Sequence, residues 1–206
     1  MPIELDTTIA LINEFEYLTY MGVQESEFQV NAERTATFIN RASQEIKHYC
    51  GGRVFVTPSS QIQEIFNGDG TKDYYTLHGR IADTTPATQV LLYLWQSQSW
   101  VEQTTTSFPR AFDAEKGRVW FNNGHTFYEG EDNWRIDYKP GWAIESVPQD
   151  LKGACCSIVK RLFMLADGKE GLSTEAFADS NTTYNLGELI GVKEKLVLNN
   201  YRRRFL

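Results

Sequence analysis

Residues 39–55 read INRASQEIKHYCGGRVF. Up to Tyr49 the apolar residues fall at steps of three and four. Ile39, Ala42, Ile46 and Tyr49 continue a face begun by Phe28, Ala32 and Thr35, which predicts a helix of about six turns. Gly51-Gly52 ends it, as glycine does at helix C-termini. Beyond Arg53 the period changes. From Val54 to Tyr138 the chain offers short runs rich in Val, Thr and aromatics, broken by Gly, Asn, Asp and Pro. That switch decides the fold: a helical set gives way to a β block.

The candidate strands are Ile62–Phe66, Tyr74–Leu77, Gln89–Trp95, Arg118–Phe121 and Trp134–Tyr138, so the block reads as a small antiparallel region of about five or six strands. Helix returns at Val147-Pro148-Gln149-Asp150. Proline suits a first helical turn, and Asp150 complements the positive helix end. Leu151, Ala154, Cys155, Ile158, Leu162 and Leu165 share one face. A polar, glycine-bearing loop is expected over 167–187, then a last helix over about 189–203 presenting Val192, Leu196 and Tyr201. Upstream of the long helix, Asp6, Thr7 or Thr8 can cap a short helix carrying Ile9, Ile12, Phe15 and Leu18 and ending near Gly22. The fold class is therefore α+β: a small bundle of about four helices interrupted by an inserted antiparallel β domain. The boundaries fall at 1–53, 54–146 and 147–206, with the two helical parts and the insertion making one composite domain.

The chain has 206 residues, 41% of them hydrophobic, with a net charge of −7. It is long enough to bury a core, and its acidity excludes a general nucleic-acid coat. Residues 193–206 hold five Lys/Arg against one Glu, a net +4 that leaves −11 elsewhere. A basic end on an acidic body points to an acidic partner or DNA at that end. MPIELDTT lacks the basic-then-apolar pattern of a signal peptide, and no apolar run spans a membrane. Cys50, Cys155 and Cys156 form no CxxC and read as buried thiols.

The stretch Ile65–Tyr75, IFNGDGTKDYY, invites two ligand readings. With Gly70 at the sixth position of a calcium loop, the first position is Ile65 and the twelfth Thr76, so two anchoring carboxylates are missing. A phosphate loop needs Lys-Ser/Thr opening a helix, whereas these glycines run into a strand. The expectation is a hairpin turn. Glu129, Glu131 and Asp132 in YEGEDNW could serve acid–base chemistry, but describe a solvated turn equally well. His48 and Cys50 point to different helix faces and do not make a zinc site. The crowd of Tyr93, Trp95, Trp100, Phe108, Phe112, Trp120 and Phe121 could stack sugars or bases, or fill a small core. No GxSxG or Cys–His pair is recognisable, so no catalytic residue, metal or cofactor is assigned and the chain does not read as an enzyme. At the C-terminus, Tyr201, Arg202, Arg203, Arg204, Phe205 and Leu206 combine arginines with aromatic and apolar anchors, a partner-reaching composition.

The order of these pieces resembles the head–tail connector proteins of long-tailed bacteriophages, also called adaptors or head-completion proteins. INRASQEIKHYCGGR resembles a helix closing on Tyr-Cys-Gly-Arg. EIFNGDGTKDYYTLHGR resembles the strand, glycine turn and strand that follow. GRVWF and NWRIDYKPGW are similar to the strand leading into a Tyr-x-x-Gly-Tyr/Trp turn. VPQDLKGACCSIVKRLF resembles a helix opening Val-Pro-x-Asp-Leu. GLSTEAFADSNTTY resembles a loop of the type Gly-x-Ser-Ser-Glu…Ser-x-x-Tyr, and the chain closes with a helix and YRR. The chain departs from the pattern at Ala178, where glycine is common, and in a longer insertion between Trp95 and Arg118.

The resemblance implies a structural virion protein in the neck, made in the host cytoplasm during assembly. It implies a ring, usually of twelve copies, under the portal vertex. The ring extends the DNA channel, through which DNA passes without sequence-specific binding, and presents a surface to the next connector, stopper or tail protein. By the same resemblance Tyr201–Leu206 would bind the portal protein, and Ser173, Glu175, Asp179, Ser180 and Tyr184 would lie in a loop between subunits. No membrane partner is implied. The rivals are a stopper or tail-completion protein, a carbohydrate-binding module or hydrolase built on the aromatic β block and Glu129/Glu131/Asp132, and a DNA-binding protein using the arginine tail.

Overall fold

The computed structural model describes residues 4–22, 32–82, 90–104, 106, 108–122, 124–166, 174–177, 180–183 and 189–202, with the backbone alone at 174–177 and 180–183. The chain divides into two compact units, Met1–Gly52 with Val147–Leu206, and Arg53–Ser146. Helices with antiparallel sheets make it an α+β protein.

The first unit holds α1 (Glu14–Met21), α2 (Ala32–Tyr49), α3 (Gln149–Ala166) and α4 (Val192–Leu198). Phe28, expected on α2, lies outside the described residues. On α2 the buried side chains Thr35, Ala36, Ile39, Ala42, Ser43 and Ile46 follow the predicted stripe. On α3 the burial of Leu151, Ala154, Cys155, Ile158 and Leu162 matches the sequence reading. Ser43 is the small polar joint between elements. Its Oγ accepts the Leu11 N–H at 3.1 Å and lies 3.6 Å from the Cys155 Sγ.

The short N-terminal helix starts later than expected. Asp6 organises only a turn, accepting the N–H of Thr8 on its side chain and those of Ile9 and Ala10 on its carbonyl. The helix cap is Asn13, in a reciprocal capping box with Glu16 at 2.8 and 2.9 Å. A box satisfies donors at both residues and so outcompetes a lone Asp. Its phase turns Phe15 outward instead of onto the predicted apolar face. The last helix is also shorter than expected. Glu194 and Leu198 face inward, and Val192 and Leu196 face solvent.

Among the described residues the β unit has seven strands: β1 (Ile62–Gly68), β2 (Asp73–Tyr75), β3 (Leu91–Gln96), β4 (Ser99–Glu102), β5 (Arg110–Asp113), β6 (Arg118–Phe121) and β7 (Gly130–Tyr138). Sequence reading missed β4 and β5, four residues each. Their signal lies in their cross-strand partners, Trp95↔Trp100 and Phe112↔Val119, and not in local propensity. One sheet runs β1-β7-β3-β4 and the other β2-β6-β5. Both sheets feed one core, with Leu92, Leu94, Trp134, Ile136 and Tyr138 from the first and Val119 and Phe121 from the second. Each large side chain buried there is worth about 2 kcal/mol.

The NGDG stretch corrects the hairpin expectation. β1 pairs with β7 and β2 pairs with β6, so the turn carries the chain from one sheet to the other. Two backbone hydrogen bonds tie it to a third segment. The Gly70 N–H donates to the Phe127 carbonyl at 2.8 Å, and the Phe127 N–H to the Thr71 carbonyl at 2.7 Å. Gly70 sits at φ +77, and a Cβ on Gly68 would lie 1.7 Å from the Tyr128 carbonyl oxygen. Those two constraints, one of conformation and one of space, explain the glycines without a ligand. The loop expected over 167–187 carries a two-stranded hairpin, β8 (Thr174–Phe177) with β9 (Ser180–Thr183). Its two strands pair antiparallel with Thr174 opposite Thr183, a pairing that a polar composition alone conceals.

Candidate interaction surfaces

The C-terminal element is held by polar ties as well as by Leu198. The Cys50 thiol donates to the Leu198 carbonyl, and the Tyr49 hydroxyl donates to Asn199 Oδ1 at 3.0 Å. Arg161 of α3 donates to the Leu189 carbonyl and pairs with buried Glu194 at 3.4 Å. Tyr201 is tied back as well. Its hydroxyl donates to Asp150 Oδ1 at 2.7 Å, and burial together with that neighbouring carboxylate pushes the phenol pKa above its ordinary value. Arg202 is exposed, with its guanidinium 5.6 Å from the Tyr49 ring centre. Arg203, Arg204, Phe205 and Leu206 lie outside the described residues. Of the loop residues, Ser173, Asp179 and Tyr184 also lie outside them. Glu175 and Ser180 sit on β8 and β9, with Ser180 opposite Phe177 in the register.

Sequence reasoning passed over Glu64. Ile62, Glu64 and Phe66 share the inward side of β1, and the carboxylate is buried at 3% exposure. It accepts the hydroxyls of Tyr138 and Tyr74, the latter at 3.0 Å. It also accepts the N–H groups of Leu77 at 3.0 Å and His78 at 3.3 Å. Donors from β7, β2 and the turn after β2 thus converge on one buried charge, which joins the two sheets. Burial, with that negative charge beside it, raises the Tyr138 phenol pKa. The available signal was a Glu at an apolar position of a period-2 run.

The remaining candidates resolve into structure. Glu129, Glu131 and Asp132 are exposed around the start of β7, where the Asp132 N–H donates to Asn67 Oδ1 at 2.8 Å and closes the crossover turn. His48 contacts Gln44 on its own helix, while Cys50 is buried against Leu198. Among the described residues no group of three His, Cys, Asp or Glu could hold a metal ion. Phe121 is a core residue with Phe108 packed against it, while Trp95 is exposed and meets Trp100 edge to face at 5.2 Å. Arg135 covers Tyr93 at 3.9 Å and Trp100 at 5.4 Å. No helix among the described residues is long and apolar enough to cross a membrane.

Residues 10–203 match the family model described as "Head completion protein". No protein with a curated description matches the sequence. Solved structures of similar fold include two from particle necks. A chain from "Neck of empty GTA particle computed with C6 symmetry" has a TM-score of 0.59 at 11% identity, over 97% of this chain and 94% of that one. A chain from "Neck of native GTA particle computed with C12 symmetry" has a TM-score of 0.53 at 13% identity, over 88% and 89%. With the family model matching from Ala10 to Arg203, the chain belongs to the head completion protein family.

Proposed function

We propose that this head–tail connector protein assembles as a ring of copies in the virion neck, beneath the portal, without catalysing a reaction. The family match over 10–203 carries the reading. The neck particles that supply the similar folds were computed with six- and twelve-fold symmetry, which favours a ring of twelve. In this reading the helical unit forms the ring body and the β unit is an insertion, within one composite domain. The basic segment from Arg202 onward docks on the portal protein, with Tyr201 fixing its root. The hairpin region holding Ser173, Glu175, Asp179, Ser180 and Tyr184 lies against the neighbouring copy. The far side of the ring receives the next connector, stopper or tail protein. The acidic body lines a channel that repels DNA and lets it pass without sequence-specific contact. Assembly takes place in the host cytoplasm.

The test is mass photometry with negative-stain imaging of the protein alone and mixed with the portal of the same phage. Rings, or regular decoration of portal, are the expected result. A monomer indifferent to portal overturns the reading. Removal of residues 202–206 is expected to abolish portal decoration without changing the melting temperature, and undiminished decoration would reassign the docking segment.

A further inference from the structure

Among the described residues, the three most exposed large apolar side chains all belong to the helical unit: Val192 at 75%, Phe15 at 69% and Leu196 at 68%. They form two unlike patches. Val192 and Leu196 are one turn apart on α4 and share its outer face, while Glu194 and Leu198 occupy the buried one. Exposed Lys193 adjoins this ridge, at the start of the only strongly basic stretch of the sequence. Phe15 stands in an open groove with Leu5, Asn13 and Ala32, and three carboxylates, Glu4, Glu14 and Glu33, edge it. One patch is an apolar ridge with a lysine beside it. The other is an apolar groove with a negative rim.

The two patches belong to different flanks of α3. Toward α1 that helix presents Lys152, paired with Glu16 at 2.5 Å, and Phe163, stacked on Tyr17. Toward the C-terminal element it presents Asp150 and Arg161. At about 100° per residue, each of these pairs lies within about 20° and the two pairs are separated by about 160°, with Ser157, which meets the Tyr20 hydroxyl of α1 at 3.2 Å, on the arc between them. A surface of one kind on one flank and its complement on the other is what a head-to-tail contact requires, since a heterologous interface repeats the same union around a ring.

We propose that the Val192–Leu196 ridge of one copy seats in the Phe15–Leu5 groove of the next, with Lys193 facing the rim of Glu4, Glu14 and Glu33. The proposal rests on the ring reading and names the contact that builds it. Burial of the three apolar side chains supplies the affinity, and the opposed charges set register and orientation. The occupant is a second copy because joining like patches would bring like charges together.

The test uses the full chain, under the conditions in which the wild type assembles, with portal present if assembly needs it. Phe15→Cys and Leu196→Cys proteins are treated with a short bismaleimide, separately and mixed. The native cysteines are all buried and stay silent. Cross-linked dimer is expected at least tenfold more strongly in the mixture than in either protein alone, and the double variant should give a ladder. A second variant, Leu196→Asp, is expected to lower the assembled fraction at least tenfold at an unchanged melting temperature. Wild-type rings without cross-linking in the mixture overturn this contact and leave the ring reading standing. Equal cross-linking of each single variant alone overturns it in favour of a like-with-like contact. Failure of the wild type to assemble, with or without portal, removes the ring reading and this contact with it.

Discussion

The carboxylate of Glu64 on β1 accepts the hydroxyl of Tyr138 on β7, and both groups are buried inside the β unit. The bond falls between neighbouring strands of one sheet, while Tyr74 and Leu77 bring the other sheet's end to the same carboxylate. One buried side chain therefore holds the insertion's two layers in register.

Glu64→Ala leaves two hydroxyls and two backbone N–H groups without their acceptor. It is expected to cost about 3–5 kcal/mol, with Glu64→Gln costing about 2, because the amide offers a donor where only acceptors are wanted. Urea unfolding followed by the fluorescence of buried Trp134 reads both. A loss under about 1 kcal/mol for Ala would mean that water replaces the carboxylate.

The two glycines of NGDG should respond differently. Gly70→Ala carries the penalty of a positive φ, about 1 kcal/mol. Gly68→Ala must displace the Tyr128 backbone from 1.7 Å and should cost more, about 2–4 kcal/mol. Equal losses in thermal unfolding would contradict the sheet-to-sheet crossover.

Asp69 accepts the Thr71 hydroxyl at 2.6 Å and the Thr71 N–H at 2.9 Å, and these bonds hold its carboxyl below the ordinary value. Because the folded pKa is depressed, the turn contributes stability above the ordinary carboxylate pKa. That contribution is lost as pH falls through the folded value. Thr71→Val removes the hydroxyl bond, so the Asp69 titration followed by NMR should move up toward the ordinary range. An unchanged titration would show that the Thr71 hydroxyl bond does not set it.

Burial pushes the Cys155 and Cys156 thiols up to about 12. Native protein at pH 8 should resist iodoacetamide at both, and urea-unfolded protein should react fully. A raised pKa gives stability that is complete below the ordinary thiol value of 9.0 and declines as pH rises toward about 12. Cys155→Ala should flatten that alkaline decline, read from melting temperatures taken across the window.

Tyr201→Phe removes the bond to Asp150 and is expected to lower stability by about 1 kcal/mol. If Tyr201 fixes the root of the docking segment, the variant should also weaken portal decoration, though less than removal of residues 202–206 does. Decoration unchanged by Tyr201→Phe would confine its role to the fold.

The α2 stripe was legible because a helix writes its contacts at steps of three and four within one stretch of chain, and Ile39, Ala42 and Ile46 are buried as that spacing requires. The same holds for Leu151 to Leu162 on α3 and for the change of period after Gly52. The crossover at NGDG was not legible, because the partners of β1 and β2 are β7 and β6, far along the chain. Which face of α4 is buried was not legible for a related reason. Periodicity names the members of a face but not which face meets a neighbour, and Arg161 and Cys50 select Glu194 and Leu198.

Sequence alone determined the α+β class and the basic C-terminal stretch, since periodicity, capping glycines and charge are local properties. Only the tertiary structure decided that Glu64 is a buried joint, that Tyr201 is tied to Asp150 and that Val192, Leu196 and Phe15 face outward. These depend on contacts between residues distant in the chain, whose energies no short window of sequence contains.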